Sequence, residues 1–494
     1  MALSFDEYSS YDALGLAELV RTGQSTAVEL LDAALARLEA VDGKLNAVVH
    51  RHEAWARKRA AGPQSGPFAG VPFLTKNLEQ QIAGWPHDSG SRALRNQVSP
   101  FTSPTIARWL AAGLVPFGQT NSPEFGSKGI TEPELHGPTR NPWDTERSPG
   151  GSSGGSASAV AAGVVPAAGA SDGGGSIRIP ASWSGLFGLK PGRGLLPEAP
   201  ASPEPFHGYA TQGVLSRSVR DSAALLDAAI AAEPSGSYLS ALPQRPLLQE
   251  VGADPGTLRI GFSDFSPLRP DGASTEAATA MTTAAHLAES LGHAVEEAKP
   301  QINWTELTES FVTLWTAKAA YNLAELARLG VDVSEVEVDN RILAAMGSSV
   351  SAADLFRARQ CWHEQTVALT KFFEKYDLFL TPTTAEAPPK IGSLNTSATL
   401  KALSKLVLGL RGSRLFSISN IPREVIMKNY RIVPYTQLAN VTGRPAMSVP
   451  LHWTDTGLPI GSQFIGPLGS EPRLIRLAAQ FEAAQPWKDR RPAL

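Results

Sequence analysis

Two glycine–serine clusters, their serines 24 residues apart, limit what this chain can fold into. The first, RSPGGSSGGS, spans residues 147–156 and runs into an alanine-rich stretch, ASAVAAG. The second, SDGGGSIRIP, spans 171–180 and follows VVPAAG. Segments so poor in side chains let backbone approach backbone, or a ligand, unusually closely. The distance from Ser152 to Ser176 suits a helix out and a strand back, which would bring both serines to one end of a sheet. The flanking texture agrees. FAGVPFLTKN reads as a short strand ending at Lys76, SPTIARWLAAG then LVPFGQTN as a helix feeding a buried strand, and ASAVAAG then VVPAAGASD as another such pair. Helices alternating with strands predict α/β architecture.

The remainder of the chain fits one large domain. Residues 11–60 carry helical patterns, among them STAVELLDAALARLEAVD with its Ser/Thr start. A Pro/Gly/Ser-rich stretch at 233–257 is the clearest compositional break. After it come a strand signal in LRIGF, helical stretches near 275–291, 304–329 and 352–375, and a strand-to-turn signal in YDLFLTPTT. Residues 390–430 are apolar, basic and uneven, and fit either a lid or insertion or a buried helix pair. From PYTQLANVTGRPAMSVP the α/β texture returns and closes on a helix in EPRLIRLAAQFEAA. The fold expected is a mixed β-sheet core flanked by helices.

Charge and cysteine content exclude several function classes. A net charge of −3 with no long run of one sign leaves no footprint for nucleic acid or an anionic membrane surface. The lone cysteine, Cys361, rules out an internal disulfide and a thiolate zinc site; in its helical context it reads as buried filler. The start of the chain has no basic-then-apolar signal, and SASAVAAGVVPAAGA is too short and proline-broken to span a membrane, so a cytoplasmic protein is expected.

The clusters themselves admit three kinds of chemistry. Neither has the G-K-[ST] ending of a phosphate-binding loop, and the proline-rich loop before the first does not fit a dinucleotide fingerprint. GGSSG matches a nucleophile elbow in form, but no strand precedes Ser152, and His207, His286, His293, His363 and His452 downstream lie in no telling context. No lysine has a serine three residues before it, which removes the S-x-x-K class. The three successive glycines of the second cluster can aim several N–H groups at one point, the geometry of an oxyanion hole, with Ser176 beside them.

Taken together, GVPFLTKN (70–77), FGQTNSPEFG (117–126), GPTRNPWDTERSPGGSSGGSASAVAAG (137–163), SDGGGSIRIPAS (171–182), GLKPGRG (188–194), GVLSRSVRDSA (213–223), LANVTGRPAMSVP and GLPIGSQFIGP resemble the amidase signature family. These motifs cover most of 65–225 and the last 60 or so residues. The resemblance implies an N-terminal helical segment (1–65), a catalytic core (66–230), a variable substrate-side region (258–430) and a C-terminal return to the sheet (431–494). It implies Ser176 as nucleophile, Ser152 as bridging serine in a cis peptide, and Lys76 as terminal base. Gly173, Gly174 and Gly175 would supply the oxyanion hole together with Ser176, and Ser153, Asp172 and Arg178 would support it. Gly126 and Ser127 would line the acyl side. An acyl-enzyme would form and be hydrolysed with no metal or organic cofactor, releasing carboxylate and amine or ammonia.

The implied substrate is a small-molecule amide, linear, cyclic or aryl, or a carbamate. Stand-alone amidases of synthetic, oligomeric or aryl amides are the subgroup suggested by ITEPELHGPTRNPWD and PWKDRRP. Phe206, Tyr209, Trp304 and Trp315 suggest an apolar acyl or aryl group. Homodimers occur in the family. An alternative within it is the amidase subunit of a tRNA-dependent amidotransferase, against which Ile179 stands where that subunit has glutamine; a histidine-based serine hydrolase is a further alternative. One departure is Gly173, where the family usually has a larger residue such as Thr or Ile; a glycine there either changes the loop or makes room for substrate.

Overall fold

The computed structural model describes residues 3–198, 204–232, 236–266, 268–409 and 421–494. Eleven strands are seen among them: β1 (Val48–Arg51), β2 (Pro72–Lys76), β3 (Val115–Thr120), β4 (Ala167–Asp172), β5 (Phe187–Lys190), β6 (Thr211–Ser216), β7 (Arg259–Phe262), β8 (Ala294–Glu297), β9 (Leu378–Pro382), β10 (Ala446–Trp453) and β11 (Pro459–Ile465). Eight form one mixed sheet in the order β4-β6-β5-β10-β11-β9-β7-β8. Its pairs are antiparallel from β4 to β9 and parallel across β9, β7 and β8. β4, β5, β6, β9 and β11 are buried along their whole length, as expected of strands covered by helices on both faces. This is a single-domain α/β fold. The compositional break at 233–257 joins β6 to β7 of the same sheet, so it divides no domains; residues 233–235 lie outside the description.

One difference from a single expected sheet matters for the site. β1, β3 and β2 form a separate three-stranded sheet, and β2 lies beside β4 without a backbone ladder. A side chain fills the seam instead. The Lys76 N–H donates to Gln80 Oε1 at 2.9 Å, and Gln80 Nε2 donates to the Ala170 carbonyl at 2.9 Å. A Cβ at Gly169 would collide with that same amide oxygen. Ser156 adds a second stitch, donating to the Gly169 carbonyl at 2.6 Å and bonding Thr120 Oγ1 at 2.7 Å. The end of β2 is thereby held against β4 by side-chain hydrogen bonds.

The helices follow the sequence cues closely. Thr26 and Glu29 form a capping box at the start of the helix Ala27–Leu45, whose leucines enter the main core. Helices Thr275–Ser290, Trp304–Arg328, Ala352–Phe372 and Glu471–Ala484 occupy the predicted stretches. The helix Gly154–Ala161 is buried at every residue, which explains its small side chains; its two serines, Ser156 and Ser158, are hydrogen-bonded to the Gly169 and Arg140 carbonyls. In the 390–430 stretch, helix Ala398–Gly409 is not a buried helix: Ser404 alone among its described side chains is buried. Residues 410–420 lie outside the description. No helix among the described residues is long and apolar enough to cross a membrane.

Candidate active site

The first glycine–serine cluster is shaped by close backbone packing. A Cβ at Gly151 would meet the Ile130 backbone at 2.6 Å, and one at Gly155 would collide with the Asn121 backbone, so neither position admits a side chain. Thr131 ties the turn together, donating to the Gly150 carbonyl at 2.9 Å and accepting the Gly154 N–H at 3.2 Å. The Gly151–Ser152 peptide is cis. Ser152 thus emerges at the mouth of the buried helix with its hydroxyl toward the end of β2.

Lys76 closes that strand and is wholly buried. Its Nζ lies 2.7 Å from Ser152 Oγ and 3.0 Å from Ser171 Oγ. Burial pulls the ammonium down to about 8, against the opposing pull of Glu79 and Asp172. Ser171 was not among the sequence candidates. A signal existed: it belongs to the same box as Ser176 and shares a strand face with Gly169, the residue pressed against the β2 seam. Ser153 braces this corner, donating to the Ser171 carbonyl at 3.3 Å and accepting its N–H at 3.4 Å.

The second cluster is a loop wrapped around one carboxylate. Asp172 Oδ1 accepts the Gly175 N–H at 2.7 Å, Arg178 Nη2 at 2.9 Å and Asn440 Nδ2 at 2.9 Å. Its Oδ2 accepts Arg178 Nε at 2.9 Å and the Ile177 N–H at 3.2 Å. Arg178 continues to Gln463 Oε1 at 2.5 Å, Asn440 Oδ1 at 2.6 Å and the Thr436 carbonyl at 2.8 Å. Both charges are fully buried. Burial raises the Asp172 carboxyl, but Arg178 outweighs it and holds the group far below the usual range. Thr436 secures the opposite side by donating to the Gly174 carbonyl at 2.6 Å.

This network corrects one expectation. The Gly175 amide is committed to Asp172, so it is not free to meet an oxyanion. The amides of Gly173, Gly174 and Ser176 find no acceptor among the described residues. Gly173 and Gly174 lie on the wall of a cavity of about 620 Å³ together with Ser152, Ser171 and Ser176. Ser176 is partly exposed there. Gly126 and Ser127 line the same cavity, and a Cβ on Gly126 would approach Ser152 Oγ to 3.3 Å.

The aromatic candidates divide. Phe206 and Trp315 line the cavity. Tyr209 and Trp304 do not; they are buried in a second hydrophobic core, where Tyr209 stacks on Phe311 with centroids 5.3 Å apart. Cys361 is buried and away from the wall. Among the described side chains, His87 is the histidine on the wall, with Nε2 2.8 Å from Gln81 Nε2.

Metal-ligand chemistry is concentrated elsewhere. His50, Asp88 and His136 bring three ligand-type atoms within 4.8 Å of one another. Both histidine Nε2 atoms sit on one oxygen, Asp88 Oδ2, at 2.6 and 3.0 Å, while Oδ1 is taken by Asn77 Nδ2 at 2.5 Å and the Gly90 N–H at 2.8 Å. These are hydrogen-bond contacts that satisfy a buried carboxylate. Burial raises the Asp88 carboxyl, and the histidines and Asn77 more than reverse it.

Comparisons with known proteins bear on the family and the fold. The family model described as Amidase matches residues 29–475. The chain is 35% identical over 495 residues to the 6-aminohexanoate-cyclic-dimer hydrolase of Pseudomonas sp. (strain NK87), covering 98% of this chain and 96% of that protein. A solved structure of a 6-aminohexanoate cyclic dimer hydrolase superposes with a TM-score of 0.89 at 32% identity, over 98% of this chain and 99% of the other. A bacterial aryl acylamidase superposes with a TM-score of 0.82 at 26% identity, over 97% and 96% of the two chains. With the fold, the paired serine loops and the full-length match all agreeing, the chain belongs to the amidase signature family of amide-bond hydrolases.

Proposed function

We propose that this enzyme cleaves a medium-sized, largely apolar carboxylic amide through an acyl-enzyme on Ser176, with Ser152 as proton relay and Lys76 as base. The observation that carries the reading is the 2.7 Å contact between the wholly buried Lys76 Nζ and Ser152 Oγ. A serine hydroxyl attacks a carbonyl only when its proton is removed in the transition state. A lysine does that only as the free amine, and burial that brings it to about 8 makes the amine available near neutral pH. Ser176 Oγ makes no hydrogen bond with a described residue; its link to Ser152 would form in the substrate complex, as catalytic contacts commonly do. The carbonyl oxygen would accept from the unclaimed amides of Gly173, Gly174 and Ser176 as it becomes anionic. Ser152 then returns the proton to the departing nitrogen, and water releases the acyl group as carboxylate. Gly126 and Ser127 would bound the acyl side, and the cavity's Phe206 and Trp315 support an apolar substrate.

The test is covalent. An aryl sulfonyl fluoride should label Ser176, located by peptide mass mapping, and Ser176→Ala should lose both the label and roughly 10⁴-fold or more of amide turnover. Label on another serine, or turnover surviving Ser176→Ala, would end the proposal. Among the described side chains His87 is the histidine on the cavity wall; full amidase activity retained on replacing each of the nine histidines in turn, His87 first, would dispose of the histidine-based alternative.

A further inference from the structure

The helix Trp304–Arg328 lays one face along the cavity. At its inner end Phe311 packs on the glycine loop, within 3.0 Å of where a Gly174 Cβ would sit. Trp315, Lys318, Asn322 and Leu326 follow on the same wall. Lys318 lies seven residues beyond Phe311, which is two turns, or roughly 10 Å, along the axis.

The charged residues on this wall are matched, with two exceptions. Lys128 pairs with Asp339 at 2.6 Å and lies 3.9 Å from Glu337. Glu325 pairs with Arg328 at 2.8 Å. Lys318 makes no ion pair or hydrogen bond with a described residue; its Nζ rests over the Tyr321 ring at 4.6 Å. Glu79, on the same wall, likewise makes no ion pair with a described residue, Lys318 included. Burial lowers the Lys318 ammonium, with Glu79 opposing from a distance. An ammonium set half-buried in an apolar wall, facing a cavity and lacking an anion, is unfavourable in the free enzyme. A ligand carboxylate would remove that cost.

We propose that Lys318 is a carboxylate subsite: the substrate is an amide whose chain runs along Phe311 and Trp315 and ends in a carboxylate held by Lys318. The rise from Phe311 to Lys318 matches about nine bonds of extended chain, which sets the scale of the preferred chain length. Preference therefore peaks at one chain length and falls on either side. The assignment rests on the amide-hydrolase reading above and refines it.

The experiment compares mono-anilides of α,ω-dicarboxylic acids, from short to long, with their ω-methyl esters and ω-amino counterparts of equal length. The readout is the kcat/KM ratio of carboxylate to ester at each length. In the wild-type enzyme the ratio should reach roughly 10-fold to 100-fold at the preferred length. It should fall toward one in Lys318→Met and be largely kept in Lys318→Arg. Because each ratio is taken within one variant, the folded fraction cancels. A ratio near one in the wild type, an unchanged ratio in Lys318→Met, or a preference for the ω-amino chain would overturn the assignment; the last would give Glu79 the recognising role. If wild-type enzyme cleaves none of the neutral anilides or esters, the amide reading itself fails, which is a separate result.

Discussion

The two walls of the cavity are built on opposite principles. The inner wall, from Lys76 through the two serine loops, is largely buried, and its polar groups are hydrogen-bonded apart from the Ser176 hydroxyl and the Gly173, Gly174 and Ser176 amides. The outer wall, from Phe311 to Leu329 and through Ala398–Gly409, is partly exposed helix, with Leu329, Leu403 and Leu406 open to solvent. The first is specified residue by residue because backbone touches backbone. The second needs only an apolar face at helical spacing, which many sequences provide. On the proposed reading, chemistry fixed by tight geometry sits opposite recognition set by adaptable side chains.

The strongest test of this contrast is Lys76→Met. Loss of a general base is expected to reduce turnover by roughly 10³-fold to 10⁴-fold. In the parent enzyme the base must be neutral, so kcat/KM should climb as pH rises through about 8 and level off above it. The variant's residual rate should lack that inflection. Stability should behave differently. The folded pKa lies below the unfolded value of about 10.4, so the unfolded chain binds the extra proton: Lys76 subtracts stability in full below about pH 8, and the penalty fades as pH rises to about 10.4. Urea unfolding at pH 7 should therefore show Lys76→Met no less stable than the parent. A lower midpoint would mean that the amine's hydrogen bonds outweigh its desolvation.

Next in size is Asp172→Ala. It leaves the Arg178 guanidinium buried without its counter-charge and frees the Gly175 and Ile177 amides. Losing one partner of such a pair costs about 3–5 kcal/mol. Denaturant unfolding is the measurement, and a loss under 1 kcal/mol would show that Asn440 and Gln463 suffice to hold the arginine.

Much of the inner wall was legible in the sequence because its rules are local. A strand ending at Lys76, a small-residue helix after Ser152 and a strand ending at Asp172 all stand where the patterns put them. What was hidden depended on contacts between distant segments. The seam plugged by Gln80 looks like any polar residue after a strand, and nothing local says that Gly169 leaves space for it. The Gly175 amide looks as free as its neighbours until Asp172 is seen to claim it. Of four candidate aromatics, two proved to be core, since pattern alone does not separate a cavity face from a packed one. Lys318 carries no motif at all; only the missing partner marks it.

A matched pair of substitutions sharpens the contrast at smaller scale. Gly155→Ala forces a methyl into the Asn121 backbone and should cost about 1–3 kcal/mol or more. Leu403→Ala, on an exposed position of the outer wall, should stay within about 0.5 kcal/mol. Equal losses by thermal unfolding would erase the distinction between the walls.

The smallest effect is expected where the walls meet. At Gly173, where the family resemblance leads to the expectation of a larger residue, the structure bears on the two explanations. Its φ is not in the left-handed region, and a Cβ there would sit 3.4 Å from Phe206 Cδ1 and 3.6 Å from Ala210 Cβ, ordinary contacts. The backbone therefore does not require glycine, and Gly173→Ala should gain about 0.4–1 kcal/mol by restricting the unfolded chain. The missing side chain instead leaves space beside Phe206 on the cavity wall. If that space receives substrate, Gly173→Ala should raise KM for bulky aryl amides more than for slender alkyl amides, with kcat for the alkyl series little changed. A uniform fall in kcat across both series would place the effect in the loop's amides, and Gly173 would then belong to the rigid wall and not to the recognising one.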